Sequence, residues 1–215
     1  MELLTAKQKQ VIAFVAGEVF FADFYLSGGT ALSAYHLRHR ISDDLDFFTS
    51  KKIDTSALRN IGERLKSVVA ATTMRIERLY DRNLFFFEFS DGTELKCEFT
   101  EYPFVQLEQA HERDGIKIDS LRDVAANKLV TIFDRFEPKD FVDLYFIFKQ
   151  RPLDHLRQDA EKKFSITIDS LHLGTELMNV ERITGLPRMV LPLNIEALQL
   201  VFRDEAKKLR SDILE

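Results

Sequence analysis

The chain has 215 residues, 45% of them hydrophobic, and its 30 Lys and Arg against 35 Asp and Glu give a formal charge of −5. That length suits one or two domains with a real core, and the acidic balance gives no reason to expect tight nonspecific nucleic-acid binding through the summed field, so such binding would need a local basic patch. The one cysteine, Cys97, has no internal disulfide partner, no apolar run approaches the roughly 18 residues of a membrane span, and "MELLTAKQKQVIAFV" mixes Glu2, Lys7 and Lys9 with apolar residues as an amphipathic helix would, so the expectation is a cytoplasmic protein.

Leu3, Leu4, Val11, Ile12, Phe14 and Val15 predict a first helix, and "FFADFYL" a short buried strand running into Ser27, Gly28 and Gly29. Thr30 is expected to cap a helix over about Ala31 to Leu37. The loop "RHRIS" follows, and "DLDFF" alternates as a strand. After a helix near Ser56 to Val69 come three strand candidates, "TMRIERLY", "LFFFEF" and "ELKCEF", the last two flanking "SDGT", whose Asp-Gly signals a hairpin. From about Asp119 the period turns helical, with Pro138 suited to a first turn and further helices near His155 to Phe164, Ile168 to Asn179 and Ile195 to Leu209. The expectation is an α/β (α+β) core over 1–110, a mixed sheet flanked by helices, with a helical C-terminal region over 111–215; no linker marks the boundary.

On a strand, Asp44 and Asp46 project to one face while Leu45 and Phe47 enter the other, with Cα atoms about 6 to 7 Å apart. Two such carboxylates suit hard divalent ions in phosphoryl or nucleotidyl transfer, although acidic alternation is also common on an ordinary exposed strand. Gly28 and Gly29 let backbone N–H groups approach a phosphate at the start of a helix, or simply make a tight strand-to-helix turn. Together the two elements fit a nucleoside triphosphate with Mg²⁺, and the loop Arg38 to Ser42 would set the distance between them. In "ELKCEF", Leu95, Cys97 and Phe99 share the apolar face and leave Glu98 on the other as a candidate third metal ligand or a solvated side chain.

Lys128 interrupts the stripe Leu121, Val124, Ile132. It either snorkels or reaches a triphosphate, and Arg135 lies on roughly the same side. Asp140 and Asp143, at i and i+3, read as partners for Lys128, Arg135 or Lys139, with metal binding as the other reading. His36 and His39 have a zinc-compatible spacing but no third ligand nearby, so a loop or helix-end role is expected. Arg38, His39, Arg40, Arg75, Arg78 and Arg82 are candidates for a local contact with an acidic polymer or for solvated surface. The 19 phenylalanines read as core.

The stretch "LSGGTALSAYHLRHRISDDLDFF" resembles the nucleotidyltransferase toxins of the AbiEii/AbiGii family, and "DVAANKLVTIFDRFEPKDFVDLYFIF" looks like that family's second signature. The resemblance implies a DNA-polymerase-beta-like nucleotidyltransferase core, Mg²⁺-dependent use of an NTP, and an antitoxin protein as partner. It matches Gly28, Gly29 and Thr30 to the phosphate loop, Asp44 and Asp46 to the metal pair, and Lys128 to the triphosphate-contacting lysine. Asp143 matches the family's Asp-Leu-Tyr aspartate, as base or scaffold. Some members of that family modify the acceptor end of tRNA, so the resemblance implies an RNA acceptor. Lys139 replaces a common arginine and Glu98 a usual aspartate. Two other readings are a phosphotransferase on the same fold, acting on a protein or small molecule, and a noncatalytic module that works through a protein partner.

Overall fold

The computed structural model describes residues 2–209. They form two compact units, and the chain passes between them more than once. One unit comprises the residues up to His36, then Ser42–Phe104 and Gln109–Ser120; the other comprises Leu37–Ile41, Val105–Glu108 and the chain from Leu121 onward.

The first unit holds a seven-stranded sheet in the order β3-β4-β5-β2-β1-β7-β6. Its strands are β1 (Tyr25–Ser27), β2 (Leu45–Thr49), β3 (Thr73–Leu79), β4 (Arg82–Glu88), β5 (Glu94–Glu101), β6 (His111–Arg113) and β7 (Ile116–Ile118). β2 runs antiparallel to β1 and parallel to β5, and β7 runs parallel to β1. Helix α1 (Ala6–Gly17) starts at a capping box in which Thr5 and Gln8 each accept from the other's backbone N–H. Asp54 caps α3 (Thr55–Val68) through Ser56 and Ala57. Alternation buries Leu45, Phe47, Leu95, Cys97, Phe99, Phe85 and Phe87, while α3 approaches β4 so closely that a Cβ on Gly62 would lie 2.4 Å from Phe85 Cε1. Phe99 centres this core, stacking on Phe21 and Phe47 at ring separations of 5.0 and 5.4 Å.

Two local expectations change. Thr30 does not cap a helix: α2 (Gly28–Thr30) already turns at Gly28 and continues as a π-helix (Ala31–Leu37), which leaves the Thr30 hydroxyl to donate to the Asp44 carbonyl. Residues 111–118, assigned from the sequence to the helical C-terminal region, instead form a hairpin. Its turn residues Asp114 and Gly115 have φ of 52° and 76°, the left-handed pair of a tight hairpin, and the hairpin pairs with β1.

The second unit is built from α4 (Leu121–Asp134), α5 (Pro138–Phe148), α6 (Leu153–Phe164), α7 (Ser170–Met178) and α8 (Ile195–Lys208). Pro138 stands in the first turn of α5, as its fixed φ favours. Phe141 and Phe202 are buried and meet at 5.3 Å, joining α5 to α8. Asp123 fastens the segment 105–108 to α4: its carboxylate accepts from the Leu107 and Glu108 amides and from the fully buried Lys163.

Candidate functional site

The sheet register assembles a row of acids in the first unit. Ser27 of β1 faces Asp46 of β2, which faces Glu98 of β5. Asp44 immediately precedes β2, next to Lys96, because Leu45 is opposite Cys97. Ser27 ends its strand, so the Gly-Gly turn begins beside Asp46. The approach is close: Gly28 has φ +66°, and a Cβ built on it would lie 2.2 Å from Asp46 Oδ2. Only glycine satisfies both the backbone angle and the space. The carboxylate of the strand and the turn of the first half are therefore in van der Waals contact.

Thr30 reinforces this through its bond to the carbonyl of Asp44, and Gln8 Nε2 donates to the carbonyls of Ser42 and Asp43 at 2.9 and 3.0 Å. These backbone oxygens bend the chain into β2. Asp44 and Asp46 are half-buried, whereas Glu98 is buried. Arg82 grips Glu98 with both prongs, Nε to Oε1 at 2.7 Å and Nη2 to Oε2 at 2.6 Å, and Thr100 donates to Oε1 at 2.7 Å. Burial raises the Glu98 carboxyl, but hydrogen bonds from Arg82 and Thr100 and the charges of Arg82 and Lys96 bring it below its ordinary value. Lys96 Nζ lies 3.5 Å from Asp44 Oδ2 and 3.6 Å from Glu98 Oε2, so charge alternates along the row.

As a metal site, this row offers two oxygen-donor carboxylates rather than a closed cage. Among the described residues no group of three or more His, Cys, Asp or Glu is disposed to hold a metal ion. Asp44 and Asp46 still suit Mg²⁺, which keeps several waters and is commonly held by one or two carboxylates together with substrate phosphates.

The second unit buries a different cluster. Asp143 has no exposed surface and accepts from His39 Nε2 at 2.7 Å, Arg40 Nε at 2.6 Å, Arg40 Nη2 at 2.8 Å and Lys128 Nζ at 2.7 Å. Asp140 takes a second Lys128 contact at 2.7 Å and an Arg135 contact at 3.1 Å. His39 Nδ1 is buried with no partner among the described residues, so the proton belongs on Nε2, facing Asp143. Burial pushes the Asp143 carboxyl up, but the charges of Lys128 and Arg40 and hydrogen bonds from Arg40 and His39 outweigh it and hold the group far below the carboxylate range. Burial likewise opposes charge on Lys128, and Asp143 and Asp140 overcome it, keeping the ammonium protonated.

The model of the family described as "Nucleotidyl transferase AbiEii toxin, Type IV TA system" matches residues 14–213 of this chain. The chain belongs to the AbiEii nucleotidyltransferase toxin family. It is 33% identical over 182 residues to an uncharacterized protein of Aquifex aeolicus, covering 80% of this chain and 83% of that one. Its fold is similar to JHP933 of Helicobacter pylori, with a TM-score of 0.60, 23% identity, and 96% and 91% of the two chains covered. It is also similar to MenT4, a nucleotidyltransferase toxin of Mycobacterium tuberculosis, with a TM-score of 0.59, 13% identity, and 94% and 81% covered.

As an AbiEii nucleotidyltransferase the chain has an NTP as substrate and an antitoxin as partner. Of the residues singled out from its sequence, Gly28, Gly29, Thr30, Asp44, Asp46 and Glu98 come together around β1, β2 and β5. Lys128 and Asp143 meet in the helical unit, with Asp140 as their common neighbour. Sequence reasoning missed Arg82 as the partner of Glu98, and Arg40 and His39 as partners of Asp143. For Arg82 the signal lay in the "SDGT" hairpin, which brings Arg82 and Glu98 to one face of paired strands. For Arg40 and His39, more than a hundred residues from Asp143, the sequence holds no local signal. His36 turns to the Asp119 carbonyl at 2.9 Å, so the two histidines do not form a zinc pair.

Proposed function

We propose that this chain transfers a nucleoside monophosphate from an NTP to an acceptor hydroxyl, with Asp44 and Asp46 binding Mg²⁺ and the turn Gly28–Gly29–Thr30 seating the phosphates. The observation that carries the reading is the contact of Asp46 with Gly28, which makes the phosphate turn and a carboxylate neighbours instead of two unrelated features. In the transfer, the acceptor hydroxyl gives up its proton to solvent, its oxygen bonds to the α-phosphorus, the bond from that phosphorus to the bridging oxygen breaks, and pyrophosphate leaves. Mg²⁺ when bound supplies electrophilic stabilisation of phosphate oxygens.

The chain's own residues orient the substrate. The first amides of α2, which as helix-starting groups have no carbonyl one turn back, are proposed to donate to the phosphates. Asp44 and Asp46 give the opposite face a negative wall. Within the helical unit, Lys128 is ion-paired with both Asp140 and Asp143 at 2.7 Å. Glu98 is proposed as the anchor of Arg82 and Lys96, because both its oxygens are already bonded to Arg82. The acceptor is proposed to be RNA such as tRNA, in the cytoplasm where NTPs are found, with a cognate antitoxin opposing the activity.

The test is incubation with each α-labelled NTP, Mg²⁺ and cellular RNA. The reading expects label on RNA from the wild type and none from Asp46→Ala, while Glu98→Gln retains Mn²⁺ binding. Label reaching an acceptor from γ-labelled but not α-labelled ATP would make the chain a phosphotransferase. Full transfer by Asp46→Ala would overturn the site itself.

A further inference from the structure

The segment Leu37–Ile41 leaves the phosphate turn's helix, passes through the helical unit, and returns as the chain that enters β2. Within the helical unit it is held over residues 39–41. The His39 carbonyl accepts from the amides of Val190 and Leu191 at 2.8 and 3.0 Å, and the Ile41 amide donates to the Arg188 carbonyl at 2.8 Å. Arg40 forms an antiparallel bridge with Met189. Side chains complete the hold, with Arg40 forked on Asp143 and His39 on the same carboxylate, both nearly free of exposure. Arg40 Nη1 also donates to the Ile41 carbonyl at 3.0 Å, which fixes the bend of the strap itself.

We propose that Arg40 and His39, gripped by Asp143, are positioning residues for nucleotidyl transfer: they lock the strap 37–41 and so fix where the chain turns toward Asp44 and Asp46. The proposal rests on the transfer reading given above and assigns Asp143 to this lock instead of to the acceptor's proton. Both oxygens of Asp143 already accept from three side chains, and a carboxylate held so far below its ordinary range is a weak proton acceptor. Only eight residues separate Gly28 from the start of the strap and two separate its end from Asp44, so the freedom left to the entry into β2 is small. A slack strap would loosen the entry into β2, where Asp44 lies just outside the ladder that holds Asp46, and misplacement by about 1 Å costs on the order of 100-fold in rate. Lysine in place of Arg40 keeps the charge but lacks the planar fork, so it isolates the lock from electrostatics.

The experiment uses the full chain and three variants. Arg40→Lys and Asp143→Asn loosen the strap; Lys163→Met breaks another buried pair of the helical unit, that of Lys163 with Asp123, and serves as a control for loss of stability alone. Amide hydrogen exchange is followed at Ile41 and over 42–46, and kcat and KM for the NTP are measured by α-label transfer. Arg40→Lys and Asp143→Asn are expected to speed exchange there at least about 10-fold and to lower kcat by about 10- to 100-fold, with KM within about twofold. Lys163→Met is expected to melt earlier with neither change. If Asp143→Asn does not fold, Arg40→Lys decides the matter.

Loss of kcat with unchanged exchange would overturn the proposal and give Asp143 or Arg40 a direct part. Faster exchange with unchanged kcat would overturn it as well, as would an equal loss of kcat in Lys163→Met. A wild-type chain that transfers no label sinks the transfer reading instead, and the exchange measurements then report independently whether the lock exists.

Discussion

Replacing Gly28 by alanine tests the contact on which the site is built. The backbone angle of +66° already charges a non-glycine residue about 1 to 2 kcal/mol. The added methyl would also stand 2.2 Å from Asp46 Oδ2 and 3.0 Å from its Cγ, so the carboxylate has to swing by about 1 Å to regain contact distance. Forcing that side chain off its rotamer costs roughly 0.5 to 1.5 kcal/mol more. Gly28→Ala should therefore destabilise the chain by about 2 to 3 kcal/mol in urea unfolding, and the same change made on an Asp46→Ala background by only about 1 to 2 kcal/mol, since the obstructing oxygen is gone. The difference is a coupling energy between two residues 18 apart in sequence. Equal losses on both backgrounds would refute the contact. Gly28→Ala should also weaken Mn²⁺ binding measured by electron paramagnetic resonance, because the carboxylate it displaces is a proposed ligand.

Lys163→Met leaves Asp123 charged and buried beside two backbone amides, so denaturant unfolding should show a loss of about 3 to 5 kcal/mol, against less than about 1 kcal/mol for a surface pair such as Lys207 with Asp204. The pH dependence has a definite sign. Asp140 and Asp143 have depressed values when folded, so their contribution is complete above the unfolded carboxylate value of about 3.9 and is lost as pH falls through the folded values. Stability measured from pH 5 downward should fall with acid, and the slope should flatten in Asp140→Asn. Lys96→Met removes a cation 3.5 Å from Asp44, so the affinity for Mn²⁺ alone should rise severalfold in the same resonance titration; an unchanged affinity would separate Asp44 from the ion.

What could be read from the sequence follows the range of the interactions involved. Strands β3, β4 and β5 were legible because their apolar residues alternate around an Asp-Gly turn, and the Asp44–Asp46 pair because a strand repeats every two residues. The hairpin of β6 and β7 was missed although Asp114-Gly115 is the same kind of signal; three-residue strands carry too little alternation to announce themselves. The cap expected at Thr30 fails because the helix starts at Gly28, three residues earlier than such a cap requires, where the space beside Asp46 admits only glycine. The pairing of Lys128 with Asp140 could be anticipated from helical spacing, while the union of Arg40 and His39 with Asp143 joins residues about a hundred positions apart and is visible only once the chain is folded.

The threading of the strap also bears on modularity. A fragment ending at Ser120 would retain every strand of the sheet and both proposed metal ligands, yet it would carry His39 and Arg40 without the carboxylate they were folded around. The stretch from Gly28 to Phe48, uninterrupted in sequence, is thus divided between two units. Cutting, grafting or recombining this enzyme at the apparent boundary would divide the motif itself, so the two units are expected to be inherited and exchanged together.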